Sequence, residues 1–292
     1  MKGGEVMLEV TPPSKRASRD AYEKALGRIA SAVKITRAID YINIPEILEE
    51  NRNGIPLYKN ADTREFGRRL SQMCGKRVIL NKAVVFFPSK EGFGNWLDET
   101  VADFGITDIV LVGGSTGSRK YPGPSVVEAN RLASLKAGVN IGNISIPQRE
   151  NEAERMALKT QAGCKFFTTQ IILEAGPVIR MLESYGRECV GRGLSPSPVF
   201  LSFAPASDAD DIEFLKWLDV DVPSIVEARL LSSKSMGSES VSIAREVFSS
   251  IHGHSKKNAG VVPISLNVEQ ISQHNFEFAG DMLGALCAEM SG

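Results

Sequence analysis

The chain lacks the paired spacing that would make its cysteines chemical. Cys74, Cys164, Cys189 and Cys287 lie far apart with no C-x-x-C pair, which excludes a zinc knuckle or a redox dithiol and reads all four as small, reduced core residues. Histidine is scarce as well. The three present, His252, His254 and His274, come late and without carboxylates at ligand spacing, so no metal site is expected. His252 and His254 flank Gly253 in a stretch that reads as a polar loop. No apolar run reaches the roughly eighteen residues of a membrane helix, and the N-terminus lacks the charged, apolar, small-residue order of a signal peptide. The expected compartment is therefore the cytoplasm. Charge of one sign is missing too: the formal net charge is -1, with Lys and Arg scattered along the chain, so neither a nucleic acid nor a membrane surface is expected as a partner.

What is present is a strict alternation of short apolar runs and helical periodicity over 292 residues. Strands are read at Val6–Val10, Asp40–Ile44, Val78 into Phe87, Asp108–Val112, the stretch ending at Pro147, the stretch carrying Gln170, Pro198–Phe203 and Val261–Leu266. Each is followed by a segment of helical spacing, the longest running from Ser224 to Ile251. A polar loop is expected around residues 51–60. Eight βα units without a linker predict a (β/α)8 TIM barrel, an α/β fold forming a single domain over residues 1–292. Residues 144–174 are a clear example of the repeat, a strand, a charged helix and a second strand, with Gly163 where a helix end turns tightly into the next strand.

In such a barrel the chemistry sits at strand C-terminal ends and the loops after them. The polar residues there are Glu9, Asn43, Glu46, Asn81, Lys82, Ser115, Thr116, Gln148, Arg149, Gln170, Ser202, Asn267 and Glu269. Glu9 lies near the end of an otherwise apolar strand, where desolvation would raise its pKa and make it a general acid; the alternative is a carboxylate paired with Lys82 or a nearby arginine. Gln170, a primary amide on a buried strand, either reads a polar ligand or is satisfied by its neighbours. The glycine-rich loop from Gly113 to Gly123, with Gly114, Ser115, Arg119 and Lys120, is a weak phosphate-cradle signal, since the Walker spacing is absent. Phe214 is either a stacking platform for a flat ring or core, given Leu215 and Leu218 beside it.

These residues resemble a known family. Leu8-Glu9-Val10-Thr11-Pro12-Pro13 is similar to the opening Phe-Glu-Phe-Phe-Pro-Pro motif of methylenetetrahydrofolate reductases, and the stretch from Lys159 through Ala162-Gly163 to Thr169-Gln170 matches that family's segment without a gap. The resemblance implies a (β/α)8 barrel in which Glu9 acts as the acid toward the folate nitrogen, Gln170 binds the pterin and Phe214 packs on nicotinamide or folate. Flavin-using members carry Arg-Gly-Asp after strand four, where this chain has Gly113-Gly114-Ser115. Their flavin-contacting histidine on strand three is replaced by Asn81 and Lys82, and their strand-five aromatic by Ile146. Glu152 and Lys159 match residues that hold the flavin ribose and phosphate. A closer resemblance is to the divergent, flavin-independent branch, at Asn43-Ile44-Pro45 with Glu49-Glu50, Ile146-Pro147 with Arg149, Leu201-Ser202-Phe203 and Pro263-Ile264-Ser265.

The resemblance implies reduction of a methylene-pterin, 5,10-methylenetetrahydrofolate or a methanopterin-type analogue, by direct hydride transfer from NADH or NADPH. Glu9 is the expected catalytic residue. Gln170, Phe214, Asn43 and Ser202 are the expected substrate contacts, and Gly113, Gly114, Ser115, Glu152 and Lys159 the expected cofactor contacts. Two alternatives stand beside it: a reductase retaining FAD or FMN, and a non-redox barrel that binds a pterin or serves methyl transfer as a partner subunit. Whether the chain forms a homo-oligomer is left open.

Overall fold

A computed structural model describes residues 1–50, 55–114, 119–257, 261–270 and 275–292. Its strands are β1 (Val6–Glu9), β2 (Tyr41–Ile44), β3 (Leu48–Glu50), β4 (Pro56–Tyr58), β5 (Arg77–Ala83), β6 (Asp108–Val112), β7 (Asn140–Ser145), β8 (Phe166–Thr169), β9 (Val199–Phe203) and β10 (Ile264–Glu269). Helices α1 (Arg19–Ile35), α2 (Thr63–Cys74), α3 (Lys90–Phe104), α4 (Val126–Ser134), α5 (Glu152–Gln161), α6 (Ala175–Gly191), α7 (Ala209–Trp217), α8 (Ser224–Ser232), α9 (Met236–Lys257) and α10 (Phe276–Ser291) fall between and after them. Hydrogen-bonded neighbours run β1-β10-β9-β8-β7-β6-β5-β2 and close into a parallel barrel, the expected (β/α)8 fold, with β3 and β4 forming a separate two-stranded hairpin.

The backbone packs as two compact units: residues 1–8, 145–157 and 167–292 form one, and residues 9–144 and 158–166 the other. In the first, Ile171, Ala206, Ile212, Leu215, Leu230 and Ile243 share a buried cluster under α7, α8 and α9. In the second, Val84, Phe93, Leu97, Ile109, Leu111, Ala133 and Ile141 do so, with Phe87 and Trp96 packed on them. Buried on both faces, barrel strands read as apolar runs, and β6 and β9 largely do. Helix starts are set by side chains: Ser18, Asp62, Ser89, Ser125 and Asp208 each accept a hydrogen bond from the first turn of the following helix. Gly163 has φ 110°, and a side chain there would meet Ser134 Cβ at 2.9 Å, so only glycine makes the turn from α5 into β8.

Several boundaries differ from the sequence reading. The third barrel strand stops at Ala83, and Val84–Phe86 is a 3-10 turn rather than more strand. Within the expected polar loop Pro56–Tyr58 is strand, paired antiparallel with β3 just before the loop so that Glu49 lies opposite Leu57, and residues 51–54 lie outside the described residues. The long helix from Ser224 is two helices, because the Ser-Ser-Lys-Ser run offers hydroxyls that compete with the helical ladder: Ser233 Oγ donates to Leu230 O at 2.8 Å and Ser235 Oγ accepts from Ser238 N at 3.4 Å. His252 and His254 lie on α9, not in a loop. His252 stacks on Phe248 with centroids 5.3 Å apart, and burial together with the Lys256 charge lowers its pKa; His254 Nε2 meets Glu183 Oε1 at 2.9 Å. The last strand continues through Glu269 instead of ending at Leu266. Among the described residues no cysteine is in a disulfide, and burial pushes the Cys164 thiol up to about 12.

Candidate functional site

In the unit spanning 9–144, β1 ends at Glu9 and β2 presents Asn43. Val10 N donates to Asn43 O at 2.9 Å, which aligns the two strand ends, and Asn43 Nδ2 donates to Glu9 Oε2 at 2.6 Å. Asn43 is fully buried and its Oδ1 has no partner among the described residues. An inward amide that holds a carboxylate with its nitrogen and keeps a carbonyl available is the arrangement a polar ligand needs.

Lys82, the alternative partner for Glu9, is engaged elsewhere. Its ammonium pairs with Glu46 Oε1 at 2.5 Å while Glu46 Oε2 accepts from Ala83 N at 3.0 Å. The same ammonium lies 5.3, 5.2 and 5.4 Å from the ring centroids of Tyr58, Phe87 and Trp96. Such a cage holds a cation by ring quadrupoles as well as by charge. Burial, then the Glu46 charge, pushes the Tyr58 hydroxyl up to about 12. A cavity of about 310 Å3 adjoins this cage, lined by Glu46, Tyr58, Asn60, Arg64, Lys82 and Trp96 among others.

The expected cofactor contacts have packing roles in this structure. Gly114 lies against the Tyr121 ring, which occupies the space a side chain would need. Tyr121 Oη donates to Glu50 Oε1 at 3.0 Å and Arg119 pairs with the same carboxylate at 2.7 Å, tying the loop after β6 to the hairpin. A side chain at Gly113 would come into ordinary contact with Val126 Cγ2 at 3.4 Å. Ser115 and Thr116 lie outside the described residues. Lys159 Nζ donates to Ile144 O at 2.8 Å. Glu152 is buried rather than on an exposed helical face; its Oε1 accepts from Ile146 N at 3.3 Å and its Oε2 meets Arg149 at 3.4 Å.

In the unit spanning 167–292, Gln170 follows directly on β8. Its Nε2 donates to Leu218 O at 3.0 Å and Asp219 O at 2.9 Å, just past the end of α7. Both amide hydrogens thus clamp the helix that carries Phe214, leaving Oε1 as the group able to accept from a ligand. Phe214 stacks on Trp217 with centroids 5.5 Å apart and an interplanar angle of 16°, while Ile212 and Leu215 supply the buried face of α7. The two aromatics form a platform beside the helix core.

Ser202 belongs to a connected cluster. Parallel pairing sets Asn267 of β10 beside Ser202 of β9, and the two-residue strand period puts Glu269 on the same face as Asn267. Asn267 Nδ2 donates to Ser202 Oγ at 3.0 Å and to Glu269 Oε1 at 3.1 Å. Ser202 also hydrogen-bonds the Glu269 carboxyl, so with its oxygen accepting from Asn267 its hydroxyl donates to the carboxylate. Part of the Glu269 side chain reaches accessible space, yet burial of its carboxyl outweighs both hydrogen bonds and pushes its pKa up to about 7. Asn267 Oδ1 is buried with no partner among the described residues. Ser202 and Glu269 were both among the strand-end residues, but ending the strand at Leu266 hid their connection. The signal was present: Ser265, Asn267 and Glu269 alternate with Ile264, Leu266 and Val268, a period-two pattern that carries the strand to Glu269.

Among the described residues no group of three or more His, Cys, Asp or Glu gathers as a metal would require, and no helix is long and apolar enough to cross a membrane. No protein-family profile matches the chain, and no curated protein matches it. The fold is similar to the solved structure of an uncharacterized protein from Clostridium thermocellum that binds two copies of 5-methyl-5,6,7,8-tetrahydrofolic acid. The TM-score is 0.81 at 16% sequence identity, over 98% of this chain and 96% of that one.

Proposed function

We propose that the chain binds a tetrahydrofolate-type pterin at its strand C-terminal ends and reduces the methylene form to the methyl form with hydride taken directly from NADH or NADPH. The observation that carries the reading is the strand-end carboxylate Glu9, held at 2.6 Å by buried Asn43. A barrel of the same fold that binds 5-methyltetrahydrofolic acid supports the substrate class, as does the resemblance of the Glu9 and Gln170 segments to methylenetetrahydrofolate reductases. In the proposed step Glu9 gives its proton to N10 of the methylene-bridged pterin, the C–N10 bond breaks and an N5 iminium forms. Hydride then adds to the iminium carbon, leaving an N-methyl group and NAD(P)+. The asparagine amide orients the carboxyl, and the Phe214–Trp217 platform is suited to stack on a flat ring.

The residues matching flavin contacts do not fit a flavin. Glu152 and Lys159 are engaged by backbone at Ile146 and Ile144, and the Tyr121 ring fills the space over Gly114. No step is therefore routed through FAD or FMN. The expected result is NADH loss on mixing the protein with methylenetetrahydrofolate, without added flavin, after the visible spectrum has excluded bound flavin. Glu9→Gln should cut that turnover by roughly 100-fold or more, the scale of general acid catalysis, with the fold unchanged by circular dichroism. Near-normal turnover in the variant would remove Glu9 from the acid role.

A second reading has an observation of its own. The ligand of the structural neighbour is the methyl form, which is a methyl donor as well as a reductase product, so a non-redox pterin-binding barrel serving methyl transfer is its natural rival. Pterin binding without NADH consumption would select it.

A further inference from the structure

We infer that Glu269, Asn267 and Ser202 form the subsite that reads the 2-amino-N3 edge of the pterin ring, with Glu269 as the specificity-determining residue. The inference rests on the pterin reading above and adds Glu269 and Asn267 beside Ser202, already an expected substrate contact. A reduced pterin offers three hydrogens along that edge, two on the exocyclic amine and one on N3. A planar donor pair of this kind is matched by a carboxylate, whose two oxygens accept side by side.

The cluster supplies that match and little else. Asn267 Nδ2 points its two hydrogens at Ser202 Oγ and Glu269 Oε1, and the Ser202 hydroxyl points at the same carboxylate. The amide is thus held in one orientation, with Oδ1 buried and without a partner among the described residues. Among the described residues two donors reach the carboxylate, whose lone pairs accommodate about four, which leaves two acceptor positions beside the amide oxygen. Three acceptors face a ligand edge with three donors. The positions are rigid, because Ser202 and Asn267 sit on paired strands and Ser202 N is further fixed by Thr169 Oγ1 at 2.9 Å. Burial holds the carboxyl near the point where neutral pH ionises it, which favours a ligand that brings its own donors.

The test is calorimetric titration of 5-methyltetrahydrofolate, and of its analogue with methyl in place of the 2-amino group, onto the full chain and onto Glu269→Gln. The wild-type protein should bind the natural ligand about 10–100-fold more tightly than the analogue. Glu269→Gln should lose about that factor for the natural ligand and almost nothing for the analogue, so the two losses do not add. Circular dichroism and a thermal melt check that the variant is folded. Equal loss for both ligands would mean a merely structural role and overturn the inference. Unchanged affinity for the natural ligand with reduced turnover would overturn it too, in favour of a proton-transfer role. Binding that Glu269→Gln retains in full leaves the pterin reading standing without this subsite, whereas absence of pterin binding by the wild-type chain overturns both.

Discussion

Glu9 and Glu269 are both carboxylates at the C-terminal ends of barrel strands, and each is held by an asparagine amide. Their legibility differed. Glu9 stood out because it ends an apolar run before two prolines, whereas Glu269 was grouped with loop residues because its strand was ended too early. The raised pKa of Glu269 makes a prediction at this scale. Its carboxyl ordinarily titrates near 4.5 and here near 7, so between those values the folded chain keeps a proton that the unfolded chain has lost. Stability should therefore fall as pH rises through that window, and the full cost is present above it. The difference in unfolding free energy between the wild-type chain and Glu269→Gln should decline by on the order of 3 kcal/mol from the lower to the upper value. Urea melts across that range measure it, and a flat difference would mean that the carboxyl ionises as freely folded as unfolded.

At the scale of elements, Gln170, the residue proposed to read the pterin, is bound to the end of α7. Gln170 donates to Leu218 O and Asp219 O, and Asp219 holds φ 61°, a left-handed conformation that a non-glycine residue keeps only when its surroundings fix it. Gln170→Ala should lower unfolding stability by about 1–2 kcal/mol for two lost hydrogen bonds and also weaken pterin affinity by loosening the helix under Phe214. Denaturant unfolding alongside ligand titration separates the two effects, and unchanged stability would remove the clamp. Element types were readable from the sequence wherever periodicity was strong, as in β6, β9 and α3. They were misread where side-chain hydroxyls or a turn competed with the pattern: the serine run between α8 and α9, the 3-10 turn after β5, and the α9 end carrying His252 and His254. In each case a local hydrogen bond or a ring contact decided the outcome.

At the scale of the whole molecule, a ligand that binds only the folded chain must raise its stability. Saturating 5-methyltetrahydrofolate at about 100 times its Kd should add about 2.7 kcal/mol, a melting shift of several degrees for a chain of this size; no shift would remove the pterin reading at its root. The sequence by itself determined the barrel, because eight apolar strands each followed by a helix leave a closed parallel sheet as the economical way to bury both faces. It also determined which end of each strand to search and marked Glu9. Only the tertiary structure decided the partners. It gave Lys82 to Glu46, Tyr121 to the space over Gly114, and the Gln170 amide to the end of α7. It also joined Ser202 and Asn267 to Glu269. The physical reason is range. Period and composition report which face a residue occupies, but hydrogen bonds form over about 3 Å. What lies within that reach is set by strand register between segments as far apart as Ser202 and Asn267.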